Sequence, residues 1–558
     1  MGLKQEAMTP IAENVLDGNS TTASVNLPTS DTSHETSSVA RATGLIALGN
    51  ISSRVLGLAR EMILSYLFGA GTAVDAFKIA IIVPRSLYDL LIGGHVNSAL
   101  VPVLSDYAGR ENRRELWELV NLLLGLVTVA LLIMILGLEI LAPLIIRLVG
   151  GEASDQTIRT ATDLLRVTAP ALLFLSLFAV VSGMLYGLKR FRLPAFAATV
   201  FNGTIVASTI IFERQLGITA AAVGWLIGAV VQLAIQYPDL RDAPLRPKLR
   251  GALSHPGVRT IGLLYIPVLA SLGLDVLINR PFSYNLASRT GEGNISYMDW
   301  ATTLIQFPHG LVATAISIAV LPTLSQQAAR AINEGLDAFK NTLGFGLRLA
   351  ITLILPATFG LFVLATPVVA LLFQHGAFTA SDTDATSLAL RLYLIGLPFA
   401  AIDLLLVFAF YAQQDTLTPA LIGLVSLIAY MVTALLLLDH YSFYSLMIAD
   451  SVKHMVHTSI SWWLLRRRIK GLHGQHLFRT TSRALVAAGI MALCSFVVFW
   501  GMEKIIGSGT VIHELLLVVG PGTVGILVFI AVGYLGGLQE LRWFMQFAGR
   551  RLKRIQAG

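Results

Sequence analysis

The stretch "LGNISSRVLGLAREMILSYLFGAG", Leu48 to Gly71, is hydrophobic enough to cross a bilayer, yet it carries Arg54, Arg60 and Glu61 in its middle. At about 100° per residue, Asn50, Arg54, Gly57, Glu61 and Ser65 fall within about 80° of one another, and Ser53 and Arg60 flank them. Val55, Ala59, Met62, Ile63 and Tyr66 cover the opposite side. The charges therefore form a stripe on one helix face. An arginine near the bilayer centre costs about 2.5–3.5 kcal/mol on insertion scales, so a face with two of them must meet protein or water. Two arrangements satisfy this. In one, Arg54, Arg60 and Glu61 form a structural ion-pair cluster; in the other they line a cationic, water-filled cavity.

The rest of the chain shows what surrounds the stripe. Of 558 residues, 55% are hydrophobic and only 13% are charged, about half the charge of a soluble domain. Mean hydropathy is +0.72. This is the composition of an all-α polytopic membrane protein. The formal charge of +7 reads first as basic loops that orient spans, and nucleic acid is not an expected partner. A single cysteine, Cys494, excludes an intramolecular disulfide and every multi-cysteine metal site. Residues 1–40 are rich in Ser and Thr, lack a signal-peptide core, and read as a disordered cytoplasmic extension.

Apolar runs give fourteen candidate spans, near 42–67, 74–103, 115–148, 157–187, 193–212, 216–237, 258–284, 294–325, 338–373, 384–411, 417–438, 442–466, 480–504 and 511–537. The third, eighth and ninth exceed a perpendicular span, which predicts tilt or projection. One set of alternate loops holds Arg110, Arg113, Arg114, Lys189, Arg190, Arg192, Arg241, Arg246, Lys248, Arg250 and Arg330, then Arg466 to Arg468 and Lys470. The tail adds Arg550, Arg551, Lys553 and Arg554, whereas the other set of loops holds Arg214, Arg289 and Lys504. That alternation puts both termini in the cytoplasm.

Two stretches repeat. "GGEASDQTIRTATDLLRVTAPALLF" from Gly150 resembles "HGAFTASDTDATSLALRLYLIGLPFAA" from His375, and "VPVLSDY" at Val101 resembles "VLPTLSQ" at Val320. The offset, near 220–228 residues, is about six spans. The expected organisation is a six-helix bundle over 41–240, a second over 258–466, two extra helices over 480–537 and a basic tail over 538–558. Paired repeats of this kind build transport sites between rocking halves.

Further polar residues fall inside spans. The second carries Asp75, Lys78, Pro84, Arg85, Asp89, the pair Gly93-Gly94, and His95. The seventh has Asp275, Arg280 and Pro281, the eighth "QFPHG" with Pro308, His309 and Gly310, and the tenth Asp403. Pro and Gly within a span mark a bendable helix that lines a cavity, so Gly57, Pro84, Pro308 and Gly310 are expected gating positions. Asp75 and Lys78, one turn apart beside the "FGAG" turn, are expected to pair as an outer latch. His454 and His457 lack an evident third ligand, which leaves little for a metal site. Two guanidiniums against one carboxylate leave positive charge suited to bidentate phosphate binding. Arg54, Arg60, Glu61, Arg85 and Arg280 are the expected substrate-binding set, Arg280 facing Arg60 from the repeat.

"SRVLGLAREMILSYLFGAGTAVDAF" resembles the first helix and loop of the MurJ/MviN family of lipid II flippases, in the multidrug/oligosaccharidyl-lipid/polysaccharide exporter superfamily. "ALVPVLSDY", "FPHGLVATAISIAVLPTLS", "LLFQHGAFTASDT" and "FYAQQDTLTP" are similar to further family patterns, in order, over residues 42 to about 470. The resemblance implies a fourteen-helix, V-shaped monomeric carrier in the bacterial cytoplasmic membrane. It would move lipid-linked peptidoglycan precursor outward, head group through the cavity and tail in lipid near a groove by the last two helices. Arg54 and Arg60 stand at the family's first-helix arginines, and Asp75 at its outer acid. Two further family arginines are replaced, by Tyr88 and Thr303, which leaves both lipid II and a related polyprenyl-diphosphate glycolipid as candidate substrates.

Competing classes have weaker support. A multidrug exporter of the superfamily moves mostly cations, against the positive stripe. A membrane glycosyltransferase needs carboxylates or a nucleophile gathered in a large outer loop, and these loops are short. No GxxxxGK[ST] loop is present, so the driving force is expected to be the membrane potential or an ion, with no cofactor.

Overall fold

The computed structural model describes residues 31–91, 96–109, 113–241, 243–507 and 510–541. Every regular element among them is helical. The first half of the chain supplies α1 (Asp31–Phe68), α2 (Thr72–Leu91), α3 (Val96–Gly109), α4 (Arg113–Gly150), α5 (Asp155–Thr168), α6 (Ala171–Gly187), α7 (Arg192–Leu216), α8 (Thr219–Ala234) and the single turn α9 (Tyr237–Leu240). The second half runs through α10 (Pro256–Gly273), α11 (Arg280–Ser288), α12 (Asn294–Pro308), α13 (Ala315–Glu334), α14 (Asp337–Val363), α15 (Ala365–Phe373), α16 (Ala380–Ala412), α17 (Leu417–Tyr441) and α18 (Tyr444–Arg468). Two long helices follow, α19 (Leu477–Ile506) and α20 (Val511–Leu535).

Among the described residues, ten helices are long and apolar enough to cross a membrane by length and composition. The remaining segments expected to span lie in α1, α2–α3, α10–α11 and α18. These are the helices that carry the polar stripes.

Helix ends follow local chemistry. Thr379 and Asp382 form a capping box at the start of α16, Ser154 caps α5 and Thr510 caps α20 through their hydroxyls. Prolines interrupt less than expected. α2 continues through Pro84, and α16 through Pro398. Two π-helical turns do interrupt spans, Leu274–Asn279 between α10 and α11, and His309–Thr314 after Pro308. Such turns commonly mark functional positions.

α1 begins at Asp31, so residues 31–40 are helical and do not belong to a disordered extension. Residues 1–30 lie outside the described residues, as do Gly93, Gly94, His95 and the tail from 542. The tail's first residues are buried, with Leu538 and Leu541 packed against α19 and α20.

α1 lies along α7, α7 along α8, α2 along α5 and α3 along α6; in the second half α16 packs on α12, α14 and α18, and α17 on α18. α19 packs on α14 and α20. The apolar cores differ between the two ends of this arrangement. At one end a single cluster joins the halves, with Leu64, Phe77 and Ile82 against Tyr284, Trp300, Phe373 and Phe378. At the end carrying the basic loops the cores are separate. One joins Leu104, Leu119 and Val180 to Val258 and Ile261 of α10, and the other joins Leu324, Phe339, Leu406 and Leu465.

Candidate functional site

The end away from the basic loops is closed by contacts between the halves. The Ala377 N–H donates to the Tyr66 carbonyl at 2.8 Å. Gly69 (φ +61°) and Gly376 (φ +62°) adopt left-handed conformations here. A Cβ at Gly69 would stand 2.6 Å from the Ala377 carbonyl oxygen, and one at Gly376 2.3 Å from that of Tyr66. Glycine is required twice, by backbone conformation and by approach. Asn285 donates to the Leu148 carbonyl at 2.8 Å.

Asp75, buried at 4% exposure, belongs to the same seal. Its carboxylate accepts the Gly293 N–H at 2.7 Å, the Ser296 N–H at 3.0 Å and the Ser296 hydroxyl at 2.6 Å. A carboxylate on the N-terminal turn of α12 caps its orphan donors and complements its dipole. Lys78 turns elsewhere, to Glu61 and Asp299. The expected Asp75–Lys78 pair is thus not formed in this state. Each residue instead reaches the other half of the molecule, because a backbone-donor pocket and two carboxylates outcompete one exposed i, i+3 partner.

Below the seal lies a buried charge network. Glu61, at 2% exposure, accepts from Arg60 at 3.1 Å (Nε) and 2.6 Å (Nη2), from Lys78, and from the Trp300 indole at 3.2 Å. Arg60 also donates to Asn202 at 3.1 Å and lies 5.7 Å from the Trp225 ring centre. Tyr284 donates to Asp299 at 3.3 Å. Arg60 thereby faces into the first half. Gly57 also points there, its Cβ position 3.8 Å from the Asn202 amide, rather than toward space for a ligand. Both follow from Asn202 and Trp225, which draw that edge of the stripe onto α7 and α8.

The remaining arginines lie nearer the opening. Arg54 is exposed and donates to the Gln306 carbonyl of α12 at 3.2 Å. Gly310 makes room for it, since a Cβ there would stand 2.3 Å from the guanidinium. Arg280 pairs with Asp89 at 2.7 Å. Arg60 and Arg280 are thus held by different partners, Asn202 with Trp225 on one side and Asp89 on the other. Arg85 lines a 290 Å³ cavity with Arg280, Asp299, Gln306, Tyr393 and Asp450. A second cavity of 200 Å³ shares Thr302, Gln306, Tyr393 and Asp450 with it and adds His309 and His454.

These walls correct the expectation of a purely cationic cavity. Two aspartates line it, and Arg60 and Arg280 have carboxylate partners. Arg54 and Arg85 have none among the described residues. Part of the first-helix stripe is thus a structural ion pair, Arg60 with Glu61, whereas Arg54 reaches across to α12 at Gln306, a residue of the cavity wall. An apolar cavity of 470 Å³ lies between α3, α4, α6 and α10, lined by Leu100, Leu123, Val180 and Val258, away from the last two helices where a lipid groove is expected. The Asp275 side chain lies outside those described.

Sequence reasoning missed Asp299, Trp300, Asn202 and Asp450. The acid in "YMDWATT" and the Asp450/Lys453 spacing were the available signals, since a charge inside an apolar span marks a site. Asn202 and Trp225 carried none, because an amide or an indole in a span does not stand out until its partner is known.

Fold and site together define a polytopic helical transporter with a polar cavity between two halves, closed at one end. The chain belongs to the family described as lipid II flippase MurJ, which matches residues 64–520 and consists of transporters, not enzymes. The lipid II flippase MurJ of Burkholderia cenocepacia is 30% identical over 465 residues, covering 80% of this chain and 88% of its own. A probable lipid II flippase MurJ of Vibrio cholerae is 30% identical over 468 residues, covering 81% and 86%. A solved structure of a lipid II flippase MurJ in an inward closed conformation superimposes with a TM-score of 0.72 at 23% identity, over 88% of this chain and 98% of that one. An inward-facing multidrug-resistance transporter of the MATE family superimposes at 0.60 with 18% identity, over 75% and 95%, and shares the fold. The protein is an integral protein of the bacterial inner membrane.

Proposed function

We propose that this chain carries lipid II from the inner to the outer face of the cytoplasmic membrane by alternating access. The observation that carries the reading is the inter-half cavity, sealed at one end by Asp75 and the Gly69/Gly376 interlock, with Arg85 in its wall and Arg54 beside it at Gln306. A diphosphate supplies the oxygens that two guanidiniums bind in bidentate fashion. In this account the polypeptide makes fourteen passes. Two six-helix bundles are related by the repeat, two helices follow, and both termini lie in the cytoplasm. The basic loops then face inward, the sealed end faces outward, and the state described is inward-facing. Arg54 and Arg85 bind the diphosphate; Arg60, Glu61 and Lys78 hold the halves in register, and Pro308 with Gly310 provides the bend beside Arg54. The carrier works as a monomer without a cofactor, with the polyprenyl tail remaining in membrane lipid.

A second reading, carriage of a related polyprenyl-diphosphate glycolipid, is favoured by one observation: Tyr88 and Thr303 stand where family members carry arginines. Complementation separates the two. Expression in a strain depleted of its own lipid II flippase restores growth if lipid II is carried. Lysis on depletion, with the protein present in the membrane, overturns the lipid II assignment.

A further inference from the structure

α18 carries ionisable groups that substrate binding leaves unused. Asp450, His454, His457 and Ser461 stand at i, i+4, i+7 and i+11, one continuous stripe about 16 Å long. Asp403 of α16 meets the stripe, its carboxylate 2.5 Å from His457 Nδ1. Ser461 lies 3.2 Å from the same nitrogen. His457 Nε2 faces Gly423 of α17, 4.0 Å from its Cβ position. Nearer the seal, Asp450 accepts from Lys453 at 2.6 Å and lies 3.7 Å from His454 Nε2. The scaffold is rigid: Ser451 and Thr458 hydroxyls donate to the Leu392 and Phe399 carbonyls of α16 at 2.8 and 2.9 Å, and Gly396 abuts Ser451.

We propose that this stripe is a proton-binding site, with the Asp403–His457 pair as its carrier, and that it couples an inward proton to outward substrate movement. The proposal rests on the transport reading above and names its driving ion. A paired imidazole and carboxylate are groups that take up and release a proton.

The charges around the site support this. His454 has Asp403, Asp450, Lys453 and His309 as electrostatic neighbours, and His309 has Asp403, Asp450 and Arg54. α12 adds Asp299 and α16 Tyr393, beside Asp450, while α17 adds Tyr430, whose ring lies 5.5 Å from the Lys453 ammonium; Tyr411 of α16 neighbours Asp403. With neutral histidines, Asp403 and Asp450 offset Lys453 and Arg54. With Nδ1–H donated to Asp403, Nε2 of His457 is the free base. A proton taken there from water makes an imidazolium–carboxylate pair and gives the wall one more positive charge. An inside-negative potential favours moving that charge inward, which drives return of the empty carrier. Chains of Asp and His within membrane spans serve this purpose in pumps and transporters. His454 and His309 line the cavity and give the proton its route to water.

The test uses the full chain in liposomes with lipid II as probe. For one proton per substrate, an outside-acid gradient of one pH unit shifts the steady-state lipid II ratio about tenfold. His457→Gln and Asp403→Asn are expected to lose the shift and keep gradient-free exchange within about twofold of wild type. Asp403→Glu is expected to retain it. Wild-type exchange that ignores the gradient, or a full shift in His457→Gln, overturns the proton site and leaves the flippase reading intact. Absence of wild-type exchange overturns the lipid II reading instead. Independently of substrate and of liposomes, proton uptake by the purified protein should be about one proton smaller for His457→Gln. Equal uptake overturns the proposal.

Discussion

The two ends of this molecule are built by different rules. At the sealed end, contacts join one half to the other: Asp75 to the first turn of α12, Tyr66 to Ala377, Lys78 to Asp299. At the basic-loop end, Arg190 donates to the Asp239 carbonyl and Arg468 pairs with Asp415, each within its own half. The apolar cores differ too: one cluster joins the halves at the sealed end, whereas at the basic-loop end α10 packs with the first half, apart from the core of α13, α14, α16 and α18. A carrier needs this asymmetry, because an equilibrium between two states moves only through interactions that differ between them. Interactions that break on opening are concentrated at one end.

The largest effect should come from Lys78→Met. It leaves Glu61 and Asp299 buried without their shared cation, and breaking a buried pair in this way costs about 3–5 kcal/mol. Thermal unfolding of the purified variant measures it; a loss below about 1 kcal/mol would mean that water reaches the network. Next is Gly376→Ala, which puts a Cβ against the Tyr66 carbonyl in a left-handed conformation. A cost of about 1–3 kcal/mol is expected, seen as outward accessibility of a cysteine at Gly71 in a Cys494→Ala background. An unchanged labelling rate would remove the interlock from the seal.

Asp75→Asn keeps the shape and removes the charge, so about 1.5 kcal/mol of seal strength should go, about a tenfold rise in outward labelling. Arg54→Lys retains charge but not the planar fork, and lipid II transport should fall about tenfold with folding unchanged. The smallest effect is expected at the other end. Burial pushes the Asp415 carboxyl up, but the Thr418 backbone N–H and hydroxyl and the Arg468 guanidinium outweigh it and hold the group below the usual carboxylate range. Its contribution is therefore full above the ordinary carboxylate pKa and is lost as pH falls through the lowered value. Arg468 is exposed, so Asp415→Asn should change stability by no more than about 1 kcal/mol, measured by thermal unfolding at neutral pH.

How much of this could be read beforehand depends on where the information sits. The first-helix stripe was legible because spacing alone fixes which residues share a face. Spacing placed Arg54 and Glu61 on that face, and the Pro and Gly of QFPHG marked the place where a π-helical turn follows α12. The division of labour between Arg54 and Arg60 was not legible, since it is set by Asn202 and Trp225 on helices distant in sequence. The same holds for Asp75 and Lys78. Local spacing suggested one pair, whereas α12 offered backbone donors to the first and Asp299 to the second. Pro84 illustrates the opposite failure: a proline permits a break, and packing around α2 does not use it. Asp299 was visible as a charge in an apolar span, but its partner across 221 residues was not.

The account's central claim is that Arg54, beside a cavity closed outward by the seal, carries the diphosphate of lipid II across the membrane. The most direct measurement is lipid II translocation in proteoliposomes, read by an enzyme that modifies only outer-leaflet head groups, for wild type and Arg54→Gln at equal reconstitution. The account predicts translocation by wild type and a loss of at least about tenfold in the variant. Equal rates for the two, or none above protein-free liposomes for wild type, would contradict it.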